Sequence, residues 1–293
     1  MLAARLHELG GAPRVDEVDA PAGSHVVEVA AAALNPVDIA IGTGRFYGGT
    51  PERPYVIGSE AVGTAADGRH VWFRGSCTVA EQAVAPPEHT YEIPAGVSDE
   101  AALACGIAGV TGWLAVAWRT RVTPEDTVLV LGASGTVGSA ALQGANVLGA
   151  ARVVGAARRV DRVPKVADEV IELSGDYELP EATVVVDALW GEPAERAIAA
   201  AASRARVVHL GQSAGPAATL QSAWVRGRVL DILGHSLFST AHDVIAEGYR
   251  ELCEHVRDGR IELPVERFAL ADVAAAWERQ ASGSPGAKIV VAL

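Results

Sequence analysis

Three glycines spaced three apart, Gly132, Gly135 and Gly138, follow directly on the apolar run Val128–Leu131. A buried parallel strand reads as a continuous apolar run. A glycine turn from such a strand into a helix of small residues brings backbone N–H groups onto a pyrophosphate. The stretch Ser139–Ala145 supplies the small-residue helix, and Arg152 to Ala156 supplies a second strand. Ser134, Gly135, Thr136 and Val137 are therefore the expected phosphate-facing residues of a dinucleotide site. The spacing is G-x-x-G-x-x-G rather than G-x-G-x-x-G, and glycines also serve ordinary tight turns. The strand before and the helix after are what make this a binding motif. An NAD site places Asp or Glu at the end of the second strand to bond the ribose. This chain has Gly155-Ala156-Ala157-Arg158-Arg159 there. Arginine matches a phosphate as a planar fork donor, so Arg158 and Arg159 point to NADP; the alternative is that they only solvate a helix start.

Further polar groups sit at the ends of apolar runs. His209-Leu210-Gly211-Gln212-Ser213 closes one strand candidate and Gly234-His235-Ser236 the next, at the carboxyl edge where open parallel sheets bind ligands. Leu210, Gly211, Gln212, Gly234, His235 and Ser236 are cofactor candidates on that ground. Nearer the N-terminus, Asn35-Pro36-Val37-Asp38 breaks a strand-like run and starts one helical turn. Asp38 either orients this loop or caps the turn. A glycine-rich loop follows, with Tyr47 as its titratable hydroxyl; Tyr47 either donates a hydrogen bond or a proton, or covers the substrate.

These residues need elements to hold them. From 128 to 235 strands alternate with helices: Val128–Leu131, Val153–Ala156, Val184–Asp187, Val207–Leu210 and Leu230–Leu233, with Val170–Leu173 as a further short one and Glu192 to Ala202 helical. Such alternation predicts an α/β domain with a doubly wound parallel sheet. Residues 26–34 and four short segments between 54 and 85 predict a strand-rich first domain. Ser98 reads as an N-cap with Asp99 and Glu100 in the first turn. The segment to Ala108 and Thr111 to Thr120 read as two buried helices. Residues 241–259 form an amphipathic helix with Cys253 on its apolar face. Val265–Phe268, a helix over 271–280 and Lys288–Val291 return to the first domain.

The chain has 293 residues, 49% hydrophobic and 20% charged, which suits two globular domains. Its formal net charge of −12 argues against nucleic acid and anionic membranes as partners. Cys77, Cys105 and Cys253 are isolated, giving neither a disulfide framework nor a C-x-x-C metal site, and a reducing cytoplasm is the expectation. The N-terminus carries Arg5, His7 and Glu8 early and does not read as a signal peptide. No charge-free apolar run is long enough to span a bilayer.

The segments Ala33–Asp38, Pro54–Gly63 and Gly132–Gly138, together with Arg257–Ile261 and Gly286–Lys288, resemble the zinc-free quinone oxidoreductases of the medium-chain dehydrogenase/reductase superfamily over nearly the whole chain. The resemblance implies a Rossmann NADP-binding domain over 115–245, inserted in a GroES-like catalytic domain made of 1–114 and 246–293. It implies NADPH-dependent hydride transfer to a quinone or an activated C=C, and a homodimer. Asn35 would place nicotinamide ribose or substrate. Thr111 would approach the cofactor. Lys288 either neutralises cofactor charge or is a solvated terminal lysine. Zinc members carry G-H-E where this chain has Gly58-Ser59-Glu60, and a ligand cysteine where it has Asn35, so no metal is expected. Two other readings stand beside this one: a polyketide-type enoyl reductase, and a non-catalytic NADPH-binding redox sensor or structural protein.

Overall fold

The computed structural model describes residues 1–46 and 48–293. Its N-terminus is an antiparallel hairpin of β1 (Leu2–Leu6) and β2 (Arg14–Glu17). No strand signal marks this hairpin in the sequence, because β2 is Arg-Val-Asp-Glu and has no apolar alternation. Its pairing with the buried β1 holds it in place. β3 (Val26–Leu34) ends at Asn35, an extended residue that begins α1 (Pro36–Gly42). Pro36 falls at the first helical position, where its missing N–H is not needed. β4 (Tyr55–Val56), β5 (Glu60–Ala65), β6 (His70–Arg74), β7 (Gln82–Val84) and β8 (Thr90–Glu92) follow. The β3–β5 register shifts between Val29 and Ala31. A Cβ at Gly63 would overlap the Glu28 carbonyl, so glycine permits the close approach at that bulge. α2 (Asp99–Ala104) is capped as expected, the Ser98 hydroxyl accepting from Ala101 N–H at 3.2 Å.

The helix does not stop at 108. It runs on in wider π-type turns, Cys105–Val110, then α3 (Thr111–Leu114), then a second π-type stretch, Ala115–Arg119, with Gly106 non-helical at φ −52°, ψ −142°. By length and composition the run Asp99–Arg119 is apolar enough to cross a membrane, which amends the expectation that no such segment exists. Within the protein, 72% of its apolar window is buried.

Next come β9 (Thr127–Leu131), α4 (Thr136–Val147), β10 (Arg152–Ala157), β11 (Glu169–Glu172), β12 (Val184–Asp187), α5 (Gly191–Ala200), β13 (Arg206–His209), α6 (Ser222–Gly227) and β14 (Asp231–Gly234). The six strands are parallel in the order β11-β10-β9-β12-β13-β14. Strand order reverses between β9 and β12, the switch point where such sheets bind ligands. One face packs Val128, Val130, Leu142 and Ala145; the other packs Leu129, Leu131, Val185 and Ile198. α7 (His242–Arg257) leads back to β15 (Val265–Ala269), α8 (Val273–Ala281) and β16 (Lys288–Ala292). These complete a mixed sheet ordered β15-β16-β3-β5-β6-β8, with β7 also on β3.

The chain divides into two compact units: Met1–Ile107, Tyr249–Arg257 and Leu263–Leu293 form the first, and Ala108–Gly248 with Asp258–Glu262 the second. The sequence expectation set the changes at 114/115 and 245/246. The core of the first unit gathers Leu6, Leu34, Ile57, Phe73, Trp277 and Ile289.

Candidate functional site

In the second unit, Gly132 adopts φ +81° and its N–H bonds the Ala156 carbonyl at 2.8 Å, tying the turn to the end of β10. Gly135 N–H bonds the Gly132 carbonyl at 3.0 Å. A Cβ on Gly138 would overlap that same carbonyl, and one on Gly112 would overlap the carbonyl of Val137. Glycine is thus required where turn and helix close on each other. Ser134, Gly135, Thr136 and Val137 line the start of α4, half-buried. The first-turn N–H groups of a helix have no intrahelical acceptor and carry its positive pole. An anionic group fits here.

Arg158 and Arg159 are both exposed just beyond β10, but they differ. Arg159 pairs with Asp161 at 3.1 Å. That bond holds the Asp161 carboxyl below its ordinary range. Arg158 makes no ion pair with a described residue. The acid expected in an NAD site is therefore absent from the strand end and present four residues beyond Ala157, committed to an arginine.

At the carboxyl ends of β12 to β14, Leu210 N–H bonds the Asp187 carbonyl at 2.7 Å, and a Cβ on Gly211 would press on the Ala188 carbonyl. Gln212, Gly234 and Ser236 are exposed. His235 is 8% exposed and stands 5.9 Å from Trp118, ring to ring. Its ring hydrogen-bonds the Thr111 backbone, which brings two expected cofactor residues together. Its Nε2 is buried without a partner among the described residues. Burial first, then the Arg119 guanidinium, pushes its pKa down to about 4, so the ring is neutral at pH 7.

Sequence reasoning missed a cluster beside these residues. The Asp187 carboxylate accepts from Leu189 and Trp190 N–H, both at 2.9 Å, and lies 3.1 Å from His209 Nδ1. The Trp190 ring packs on His209 at 4.2 Å between centroids. Trp190 has φ +56°, unusual for a bulky residue, and the two bonds to Asp187 hold it there. The available signal was a lone acid ending an apolar strand.

The first unit holds the other polar cluster. Asn35 is 2% exposed, Glu60 0% and Lys288 2%. Asn35 Nδ2 donates to Ser59 Oγ at 3.2 Å and to Glu60 Oε1 at 2.9 Å, and Asn35 Oδ1 accepts from Lys288 Nζ at 2.5 Å. An amide side chain has two donor hydrogens, so both are already used. Lys288, expected to neutralise cofactor charge, is buried with its ammonium bonded to Asn35 and ion-paired with Glu60. The second carboxylate oxygen of Glu60 accepts from Trp72 Nε1 at 2.8 Å and Ile107 N–H at 2.7 Å. Gly106 allows this, since a Cβ there would sit on that oxygen. Trp72 is itself held between Tyr91 and Tyr249, at 4.9 and 4.4 Å.

Asp38 does both things the sequence left open. Its Oδ2 accepts from Asn35 N–H at 2.7 Å, closing the start of α1, and from the half-buried Ser59 hydroxyl at 3.1 Å. Burial pushes its pKa up to about 7 against those bonds and the Lys288 charge, with Glu60 adding to the rise. Tyr47 lies outside the described residues.

A switch-point parallel sheet with a glycine turn, joined to a strand-rich unit, defines a two-unit dehydrogenase fold. The chain belongs to the zinc-binding dehydrogenase family of the medium-chain dehydrogenase/reductase superfamily, whose profile matches residues 136–291. It is 31% identical to a phenolphthiocerol/phthiocerol polyketide synthase polypeptide of Mycobacterium tuberculosis over 99% of its length, spanning 14% of that protein. It is 34% identical to the quinone oxidoreductase of Rattus norvegicus over 49% of each chain. The quinone oxidoreductase of Thermus thermophilus, solved also in complex with NADPH, superposes with a TM-score of 0.84 over the full length of both chains at 26% identity.

The family name implies zinc, and the residues present do not suit it. Zinc takes thiolate, imidazole and carboxylate donors. At the two ligand places identified by resemblance the chain has an amide, Asn35, and a hydroxyl, Ser59, with an ammonium bonded to the amide. Among the described residues, no group of three or more His, Cys, Asp or Glu is arranged to hold a metal.

Proposed function

We propose that the protein is an NADPH-dependent reductase that delivers hydride to a quinone or an α,β-unsaturated carbonyl compound. The observation that carries this reading is Arg158, exposed and without an ion pair among the described residues, just beyond the strand that follows the glycine turn. The NADPH complex of the Thermus relative supports it. The N–H groups of Ser134 to Val137 bind the pyrophosphate, and Arg158 with Arg159 binds the 2′-phosphate. Thr111, Leu210, Gly211, Gln212, Gly234, His235 and Ser236 are assigned to the nicotinamide half. NADPH supplies the hydride when bound. In the first unit, Asn35 and Asp38 orient the Ser59 hydroxyl, and the Ser59–Asp38 pair is where a proton is held.

The test is oxidation of NADPH and NADH with 1,4-benzoquinone, 9,10-phenanthrenequinone and simple enones. Arg158→Glu should weaken NADPH binding by about 10- to 100-fold, the range for losing a charge-assisted pair, and leave NADH nearly unchanged. Equal effects on both cofactors would sink the assignment, and NADPH binding without turnover on every acceptor would favour a sensor. A second reading, reduction of an enoyl thioester, is favoured by the match to a polyketide synthase polypeptide across 99% of this chain. Enoyl thioesters in the same panel, turned over faster than quinones, would establish it. We place the protein in a reducing cytoplasm, in keeping with three free cysteines. The homodimer is tested by sedimentation equilibrium.

A further inference from the structure

We propose that the His235 ring orients the nicotinamide carboxamide, its Nε2 accepting a hydrogen bond from the amide N–H2. The inference deepens the NADPH reading, on which it rests, and concerns the second unit alone.

One ring nitrogen is already in use. The bond to the Thr111 backbone raises the His235 pKa, as a bond donated by a ring N–H does. The Thr111 carbonyl is therefore the acceptor. With Nε2 unpartnered among the described residues, the donor is Nδ1. A neutral imidazole has a single N–H, so Nε2 carries the lone pair and needs a donor. His235 is 8% exposed, and an acceptor buried without a donor is costly. Arg119 does not supply one: its Nε–H is on the Gly234 carbonyl at 3.1 Å. Burial, and then the charge of that guanidinium, keep the ring neutral.

The place selects the donor. With the 2′-phosphate at Arg158 beyond β10, the adenosine half lies on the β10 side of the glycine turn. The nicotinamide half then lies on the side of β12, β13 and β14. His235 follows β14, and its N–H bonds the His209 carbonyl at the end of β13 at 3.0 Å. Through Thr111 it is also tied to the phosphate cradle, since a Cβ on the next residue, Gly112, would overlap the Val137 carbonyl in the first turn of α4. The donors on that half of NADPH are ribose hydroxyls and the carboxamide N–H2. The Trp118 ring, 5.9 Å from the imidazole, is a flat aromatic neighbour, which suits a planar amide better than a sugar.

The test compares NADP+ with its 3-acetylpyridine analogue, in which a methyl replaces the amide N–H2, by isothermal titration. The unaltered protein should bind NADP+ about 10-fold more tightly, the effect of leaving a buried acceptor unpaired. His235→Leu should bind the two about equally. No preference in the unaltered protein, or the full preference in folded His235→Leu, overturns the proposal and leaves the NADPH reading standing. Binding of neither nucleotide removes both. If His235→Leu does not fold, the unaltered protein labelled with 15N-histidine decides. The ring with nuclear Overhauser contacts to Trp118 should show its Nε2 resonance move upfield with NADP+ and stay in place with the analogue. The same Nε2 position in both complexes overturns the proposal.

Discussion

The two units handle charge in opposite ways. In the second, the groups suited to an anion are backbone N–H donors at the start of α4 and arginines left in solvent, and its glycines give the chain its shape. In the first, the charged pair of the polar cluster is out of water, and Glu60 is satisfied by side chains and one backbone N–H, accepting from Lys288, Asn35, Trp72 and Ile107. An open backbone cradle keeps its capacity for a ligand. A closed side-chain network uses its hydrogen bonds internally and offers stiffness instead. Each unit also holds a buried titratable group, and their surroundings differ. Asp38 is a buried acid sharing a single nearby ammonium with Glu60, and Glu60 has the direct contact. His235 is a buried base with an arginine beside it.

Breaking the closed network should give the largest effect. Lys288→Met leaves the Glu60 carboxylate buried without a cation and is expected to destabilise the protein by about 3–5 kcal/mol, measured by urea unfolding. Glu60→Gln/Lys288→Met should recover most of that loss; a single variant costing under about 1 kcal/mol would show the network is not closed.

Next is Asp38. Its native pKa of about 7 lies above the ordinary carboxyl value. Between about pH 4 and 7 the native state holds a proton that the unfolded state has released, so stability falls as pH rises, by on the order of 4 kcal/mol in total. Asp38→Asn should flatten this slope; identical pH profiles for variant and parent would refute it.

The smallest effect belongs to His235, with the opposite sign. Its native pKa is about 4. Between about pH 6.5 and 4 the unfolded state binds the proton first, so stability is present above about 6.5 and lost as pH falls, by on the order of 3 kcal/mol. His235→Gln should remove that loss, as read from thermal transitions at about pH 7 and about pH 4.5. If acid sensitivity persists, other histidines carry it.

What the sequence reveals follows the same contrast. The cradle is local: strand, Gly132 to Gly138 and helix are consecutive in the chain, and hydrophobic runs mark β9, β10, β12 and β13 to within a residue or two. The Ser98 cap is also local and was legible. The first unit's network joins positions 35, 60, 72, 107 and 288, which no window contains. Resemblance marked Asn35, Ser59 and Lys288 individually, but not that they meet. The β1–β2 hairpin was missed because β2 is polar, and the joining of the helices expected to 108 and from 111 was missed because the π-type turns that connect them leave no mark in the apolar spacing. The Asp187–His209 pair depends on the parallel register of β12 and β13.

The distance between Glu60 and Lys288 along the chain has a consequence during synthesis. The lysine is made 228 residues after the carboxylate it neutralises. At translation rates of about 5–20 residues per second, Glu60 waits on the order of ten to forty-five seconds for its counter-ion. The nucleotide unit needs nothing beyond residue 262, so it has all of its chain first. The ribosome thus delivers a finished parallel sheet while the first unit's sheet still lacks its closing strand. A chaperone that binds the nascent chain late would find one edge of β3, the edge that β16 pairs with, still to be sheltered.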